Sequence, residues 1–123
     1  MAGLSTAVKN QMLETLRSTG VPSIQATHYS LHTADPGATG TSEVTGGSPA
    51  YARKATAWNA PSAGDLDNSN TPVFDVPAGT TVTHYGLWNA LTVGTFVGSG
   101  PLSANETFAA QGTYTLSDAD VTL

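Results

Sequence analysis

Apolar positions recur along this chain in two rhythms. Within residues 4–18, LSTAVKNQMLETLRS, Val8, Met12, Leu13 and Leu16 fall at i, i+4, i+5 and i+8 and share one face, the spacing of an amphipathic helix. Ser5 stands where a capping residue belongs. Arg17 occupies the last turn, Gly20 supplies a stop, and Pro22 prevents continuation. The pattern predicts a helix that either lies over an open end or face of a sheet or reaches out as an arm to a neighbouring subunit.

After Pro22 the period drops to two. QATHYSLH (25–32) sets Thr27, Tyr29 and Leu31 against Ala26, His28, Ser30 and His32, and YARKATAWN (51–59) alternates again up to Trp58. Residues 71–76, 81–90, 94–99, 106–109, 112–116 and 119–123 each read as a short strand, separated by PAG, LTVG, GPLSAN, AAQ and SD. Short strands broken by Gly/Pro turns predict a mainly β fold, an antiparallel β-sandwich or jelly roll with one N-terminal α-helix. Residues 33–50 are nearly all small or polar, with Glu43 and Val44 as interruptions. That loop exceeds the ~12–15 residues beyond which loops tend to be functional or mobile. The expected organisation is a helix over 1–20 and one β domain over 21–123. No internal repeat and no heptad appears, so the chain does not itself encode a long shaft.

One strand stands out. In FDVPAGTTVTHYGLWNA (74–90), Pro77 and Gly79 make a turn. The strand after it puts Thr81, Thr83, Tyr85 and Leu87 on one face and Val82, His84, Gly86 and Trp88 on the other. Both faces carry large groups, which predicts a central strand covered on both sides. Gly86 suggests a bulge or a close backbone approach. Trp58, Phe74, Trp88, Phe96, Phe108, Tyr114 and Leu116 are the expected core anchors.

Composition narrows the function classes. A length of 123 residues favours one domain. There is no cysteine, hence no disulfide, no thiolate nucleophile and no cysteine metal site. Charged residues make up 11%, against about 25% in typical soluble domains. The net charge is −5, with only Lys9, Arg17, Arg53 and Lys54 positive. Four scattered cations do not build the footprint that nucleic-acid binding requires, and an anionic membrane surface is disfavoured likewise. No apolar run approaches the ~20 residues that cross a bilayer, and no secretory signal pattern is seen. A surface so poor in charge suits a subunit that is covered in use.

Candidate chemistry is thin. His28 and His32 resemble a metal pair, but on a strand they lie ~13 Å apart. His84 approaches them only if strands pair suitably. DLDNSN (65–70) opens like a calcium loop, yet Asn70 stands in place of the glycine and Val76 in place of the bidentate glutamate. An Asx-rich turn is the expected reading. GSG (98–100) lacks the frame of a nucleophile elbow, and TGGSPA (45–50) lacks that of a phosphate loop. Asp75 and Glu106 lie on different strands, so no acid–base pair stands out. No catalytic residue, cofactor or metal is expected. Arg53 and Lys54 point to opposite strand faces, as solubilising charges or as contacts to an acidic partner.

Several segments together resemble a widespread family of small phage virion proteins: YSLHTADPGATGTSEVTGGSPAYARKA (29–55), FDVPAGTTVTHYGLWNA (74–90) and GTFVGSGPLSANETFAAQGTYTL (94–116), after the helical opening LSTAVKNQMLETL. Members are described as tail-fibre-like, minor tail or head-decoration proteins of phages, commonly those of actinobacteria. SPAY (48–51) departs from the glycine-serine-tyrosine join expected there and touches only a loop. The resemblance implies a non-enzymatic structural protein on the outer surface of the particle. A head decoration subunit is the first expectation, with the major capsid protein and sister copies, as a trimer, for partners. A minor tail or fibre-associated protein bound to tail proteins is the alternative. A carbohydrate-binding module using Tyr29, Tyr51 and Tyr85 comes next, and a small hydrolase last. Expected contact residues are Val8, Met12 and Leu16 of the helix and Glu43, Val44, Tyr51 and Arg53 around the long loop.

Overall fold

The structure, a computed structural model, describes residues 3–17 and 23–122. The elements run β1 (Gly3–Leu4), α1 (Thr6–Leu16), β2 (His28–His32), β3 (Lys54–Ala55), β4 (Asp65–Leu66), β5 (Val73–Val76), β6 (Thr80–Trp88), β7 (Phe96–Phe108), β8 (Gly112–Thr115) and β9 (Val121–Thr122). A five-stranded sheet, β1-β7-β6-β2-β3, packs against two ribbons, β4-β9 and β5-β8. All pairings are antiparallel. The result is the expected β-sandwich with one helix among the described residues.

The core lies between the layers. Tyr29 and Leu31 of β2 and Val82, Tyr85 and Leu87 of β6 meet Phe74 and Val76 of β5, Val121 of β9, and Leu116 and Ala119 between β8 and β9. Burial of these side chains is the main favourable term, about 1.5–3 kcal/mol for each large one.

Helix α1 begins as the spacing predicts. Ser5 is its N-cap, and its hydroxyl accepts from the Val8 amide at 3.4 Å. The Ser5 amide in turn donates to Val97 O at 2.8 Å, tying the helix to the start of β7. The Gln11 carboxamide accepts from the amides of Ser23 and Ile24, at 2.8 and 3.2 Å. The helix therefore crosses the end of the sheet where the chain enters β2. Its predicted apolar face is divided: Val8 packs on the core, whereas Leu13 and Leu16 are 57% and 82% exposed. Gly20 and Pro22, the expected stop, lie outside the described residues.

Three strand expectations need correction. Simple alternation places Val82 with His84, but Val82 is fully buried in the core beside Tyr85 and Leu87. The cause is a register shift: Val82 pairs with Glu106, while His84 pairs with Pro101. Residues 102–105 stand opposite Thr83 alone, and a bulge of this kind reverses which face each side chain meets. GPLSAN consequently belongs to one 13-residue strand, β7, where a turn was expected. Residues 51–59 form a strand only at Lys54–Ala55; Trp58 makes an isolated bridge to Asn68. Side chains supply what the short strand omits. The Tyr51 hydroxyl accepts from the Leu31 amide at 3.0 Å, and Thr56 Oγ1 and Trp58 Nε1 donate to Ala26 O at 2.7 and 3.1 Å. Trp88 and Phe96, expected as anchors of the core, are buried on the opposite face of the sheet.

Candidate functional site

That opposite face is built from polar and aromatic groups. At its centre Gly86 allows β2 to come close, because a Cβ there would collide with Ser30 Oγ and lie 2.5 Å from His32 Nε2. Trp88 Nε1 donates to Ser30 Oγ at 2.9 Å, Ser30 Oγ lies 2.7 Å from His32 Nε2, and His32 Nδ1 lies 2.7 Å from Thr41 O. A carbonyl only accepts, so Nδ1 carries the proton and Nε2 receives the Ser30 hydroxyl. Burial pushes the His32 imidazole below its ordinary pKa, which keeps the ring neutral. A serine hydroxyl at this distance from an imidazole has the geometry of a nucleophile and its base. Here both residues are 0% exposed and the outer partner is a carbonyl in place of a carboxylate. No substrate reaches the pair; it orders the loop that covers it.

The other histidines take separate partners. His84 pairs with His32 across the strands, yet its Nδ1 bonds Thr83 Oγ1 at 2.8 Å; His28 Nδ1 bonds Thr27 Oγ1 at 2.9 Å. Among the described residues no three histidine or carboxylate side chains are arranged to hold a metal ion. In DLDNSN the asparagines act as staples. Asn68 donates to Asn70 O at 2.8 Å and accepts from the Ala119 amide at 3.1 Å, and Asn70 donates to Ala55 O at 3.1 Å. Nearby, burial and a bond to Asp118 raise the pKa of the Asp120 carboxyl.

The loop over this face is closed by one cation. Arg53 Nε and Nη2 donate to the two Glu43 oxygens, both at 2.9 Å. Arg53 Nη1 donates to Ala90 O and Val93 O, at 3.0 and 2.9 Å. The guanidinium lies 3.8 Å from the centre of the Trp88 ring. The Tyr51 hydroxyl donates to Glu43 Oε2 at 2.8 Å, and burial, the largest cause, raises its pKa. Arg53 is only 9% exposed, which overturns a solubilising role for it. A bidentate, charge-assisted pair stacked on an indole is far stronger than a surface ion pair.

Arg53 also holds the turn at LTVG (91–94), the expected break between β6 and β7. Between Trp88 and Phe96, Asn89 Oδ1 accepts from the Thr95 amide at 2.7 Å. Val93 has φ +57°, a left-handed backbone that a β-branched residue adopts at a cost of about 1–2 kcal/mol. Its side chain is 83% exposed and that of Leu91 53%. A groove of about 390 Å³ runs between this turn, Glu43–Gly46 and Tyr51–Arg53. Only Gly94 marked a special conformation here, and nothing in LTVG showed that its valine shares it.

The expected contact residues separate into groups. Glu43, Tyr51 and Arg53 meet in one bonded cluster, and Val44 is buried in the core at 3% exposure. Val8 and Met12 line a second, apolar cavity of about 320 Å³ beneath α1, with Ile24, Leu66 and Leu87. Leu16 projects outward. Tyr29 and Tyr85 are 0% and 4% exposed, and Tyr51 stacks on Phe74 with ring centres 6.1 Å apart. The tyrosines expected as a sugar platform are thus taken up by the fold. No described helix is long and apolar enough to cross a membrane.

No match is found among curated proteins. A family model described as Podophage GP4 fiber I protein gp80 matches residues 3–123. Nearly the whole chain, from β1 through the clasped face to β9, is covered, and the chain belongs to this family of phage fibre proteins.

Proposed function

We propose that this chain is a non-enzymatic structural subunit of a phage tail-fibre assembly, carried on the outside of the particle and bound to other tail proteins. The observation that carries this reading is the match of 3–123 to a family described as a fibre protein. It favours the tail over the head decoration role, which was the first expectation from the sequence. The chemistry of the outer face agrees. The Ser30–His32 contact is sealed, Arg53 and Glu43 neutralise each other, and the tyrosines expected as a sugar platform are held within the fold. What remains outside is a small-residue surface with a few apolar side chains, suited to packing against other proteins. Electron cryomicroscopy of the virion, with a tag fused to this chain, tests the proposal. Added density at the tail or its fibres is expected. Density spread over the head shell would refute the tail reading, and none on the particle would refute a virion role.

A further inference from the structure

Exposed apolar side chains are concentrated at one end of the molecule. Five large hydrophobic residues are well exposed among those described: Leu13, Leu16, Val73, Leu91 and Val93. Four belong to elements that leave the same end of the sheet. α1 is anchored there by the Ser5–Val97 bond and by Gln11 on Ser23 and Ile24, and the 89–95 turn joins Trp88 to Phe96. Leu13 and Leu16 stand at i, i+3 on one stripe of the helix, which is how a helix offers itself to a groove. Leu91 and Val93 form the lip of a groove of about 390 Å³. That groove is rigid, because Arg53 grips the turn through two carbonyls. Strain persists where surrounding structure enforces it, and an exposed valine held with φ +57° is such a case.

We propose that the groove bordered by Leu91 and Val93 receives helix α1 of a second copy of this chain, with Leu13 and Leu16 as the inserted side chains. Charge selects the same occupant. Lys9 and the C-cap Arg17 against Glu14 leave α1 with its cap one positive charge, so a net charge of −5 leaves the rest of the chain six negative. Two copies repel body to body, whereas the helix of one is attracted to the body of the other. The Glu43–Arg53 pair is neutral as a unit, so apolar contact sets the fit at the groove itself. The patches are different surfaces, so the contact is heterologous: it gives a ring where the rotation closes, an open filament where it does not, or a two-fold dimer when exchanged reciprocally. The proposal does not depend on where the particle carries the chain.

Complementation between two variants tests it. Leu16→Glu spoils the helix and leaves the groove intact; Val93→Glu does the reverse. Both side chains are more than four-fifths exposed, so folding is expected to survive, and thermal melts verify that it does. By analytical ultracentrifugation the natural sequence should self-associate with concentration. Each variant alone should associate at least about tenfold more weakly. An equimolar mixture should recover a 1:1 species that neither forms alone, since one intact helix then meets one intact groove. A natural sequence that stays monomeric at the highest attainable concentration would overturn the proposal. So would a mixture no more associated than its components.

Discussion

The two faces of the central sheet are held by different physics. The inner face, with Tyr29, Leu31, Val82, Tyr85 and Leu87 against Phe74 and Val76, is held by apolar area. The outer face carries Ser30, His32 and Trp88 under Arg53, and is held by bonds of fixed direction. Area tolerates shape-conserving substitution; a bonded chain does not, because each deletion strands a partner. The comparison teaches that a face lacking aliphatic residues is not thereby a chemical site. Its polar groups satisfy one another and fix a long loop.

Substitutions separate the two faces, beginning with the largest effect. Phe74→Ala should lower stability in urea unfolding by about 3–5 kcal/mol, by loss of area and the cavity left behind. Arg53→Met should cost about 3 kcal/mol, because the carbonyls of residues 90 and 93 lose their donor and the Glu43 carboxylate is left with the Tyr51 hydroxyl. Substituting Glu43→Gln in the Arg53→Met background should recover part of that loss in the same assay. No recovery would place Arg53 with the packing residues and collapse the contrast. Ser30→Ala should cost about 1–3 kcal/mol, leaving the Trp88 N–H and His32 Nε2 unpaired. Acidification should weaken the outer face through His32. His32 has a folded pKa below its ordinary 6.5, so its contribution is complete above that pH. As pH falls below it, the unfolded chain takes up a proton that the folded chain refuses, and stability declines. His32→Gln should flatten that slope in pH-dependent unfolding. His84→Ala, outside both networks, should stay within about 0.5 kcal/mol.

Much of the architecture was legible. The helix with its Ser5 cap, the β2 and β6 strands and the two-sided burial of 80–88 follow from spacing alone. The phase of Val82 was not, because the bulge that sets it lies on another strand. Residues 51–59 misled by alternating, since beyond the short backbone pairing of Lys54–Ala55 it is their side chains that complete the edge of β2. The clasp was half visible. Glu43, Tyr51 and Arg53 were singled out one by one, but only folding shows that they meet, since ten residues separate Glu43 from Arg53 and thirty-seven separate Arg53 from Ala90. The break at LTVG was legible, but the left-handed backbone of Val93 was not, because Arg53 holds it through the Ala90 and Val93 carbonyls against the residue's own preference.

The bulge in β7 bears on how such a chain avoids edge-to-edge pairing. Among the described residues, β1 pairs with Gly98 and Ser99 and Ser5 bonds Val97, so the rest of the outer side of that strand is an open sheet edge. A long flat edge would recruit strands from other molecules without limit. Pro101, which has no amide hydrogen to offer, followed by the irregular stretch 102–105 and the charge of Glu106, denies an incoming strand a regular ladder. Edge-to-edge growth into open-ended fibrils is thereby disfavoured.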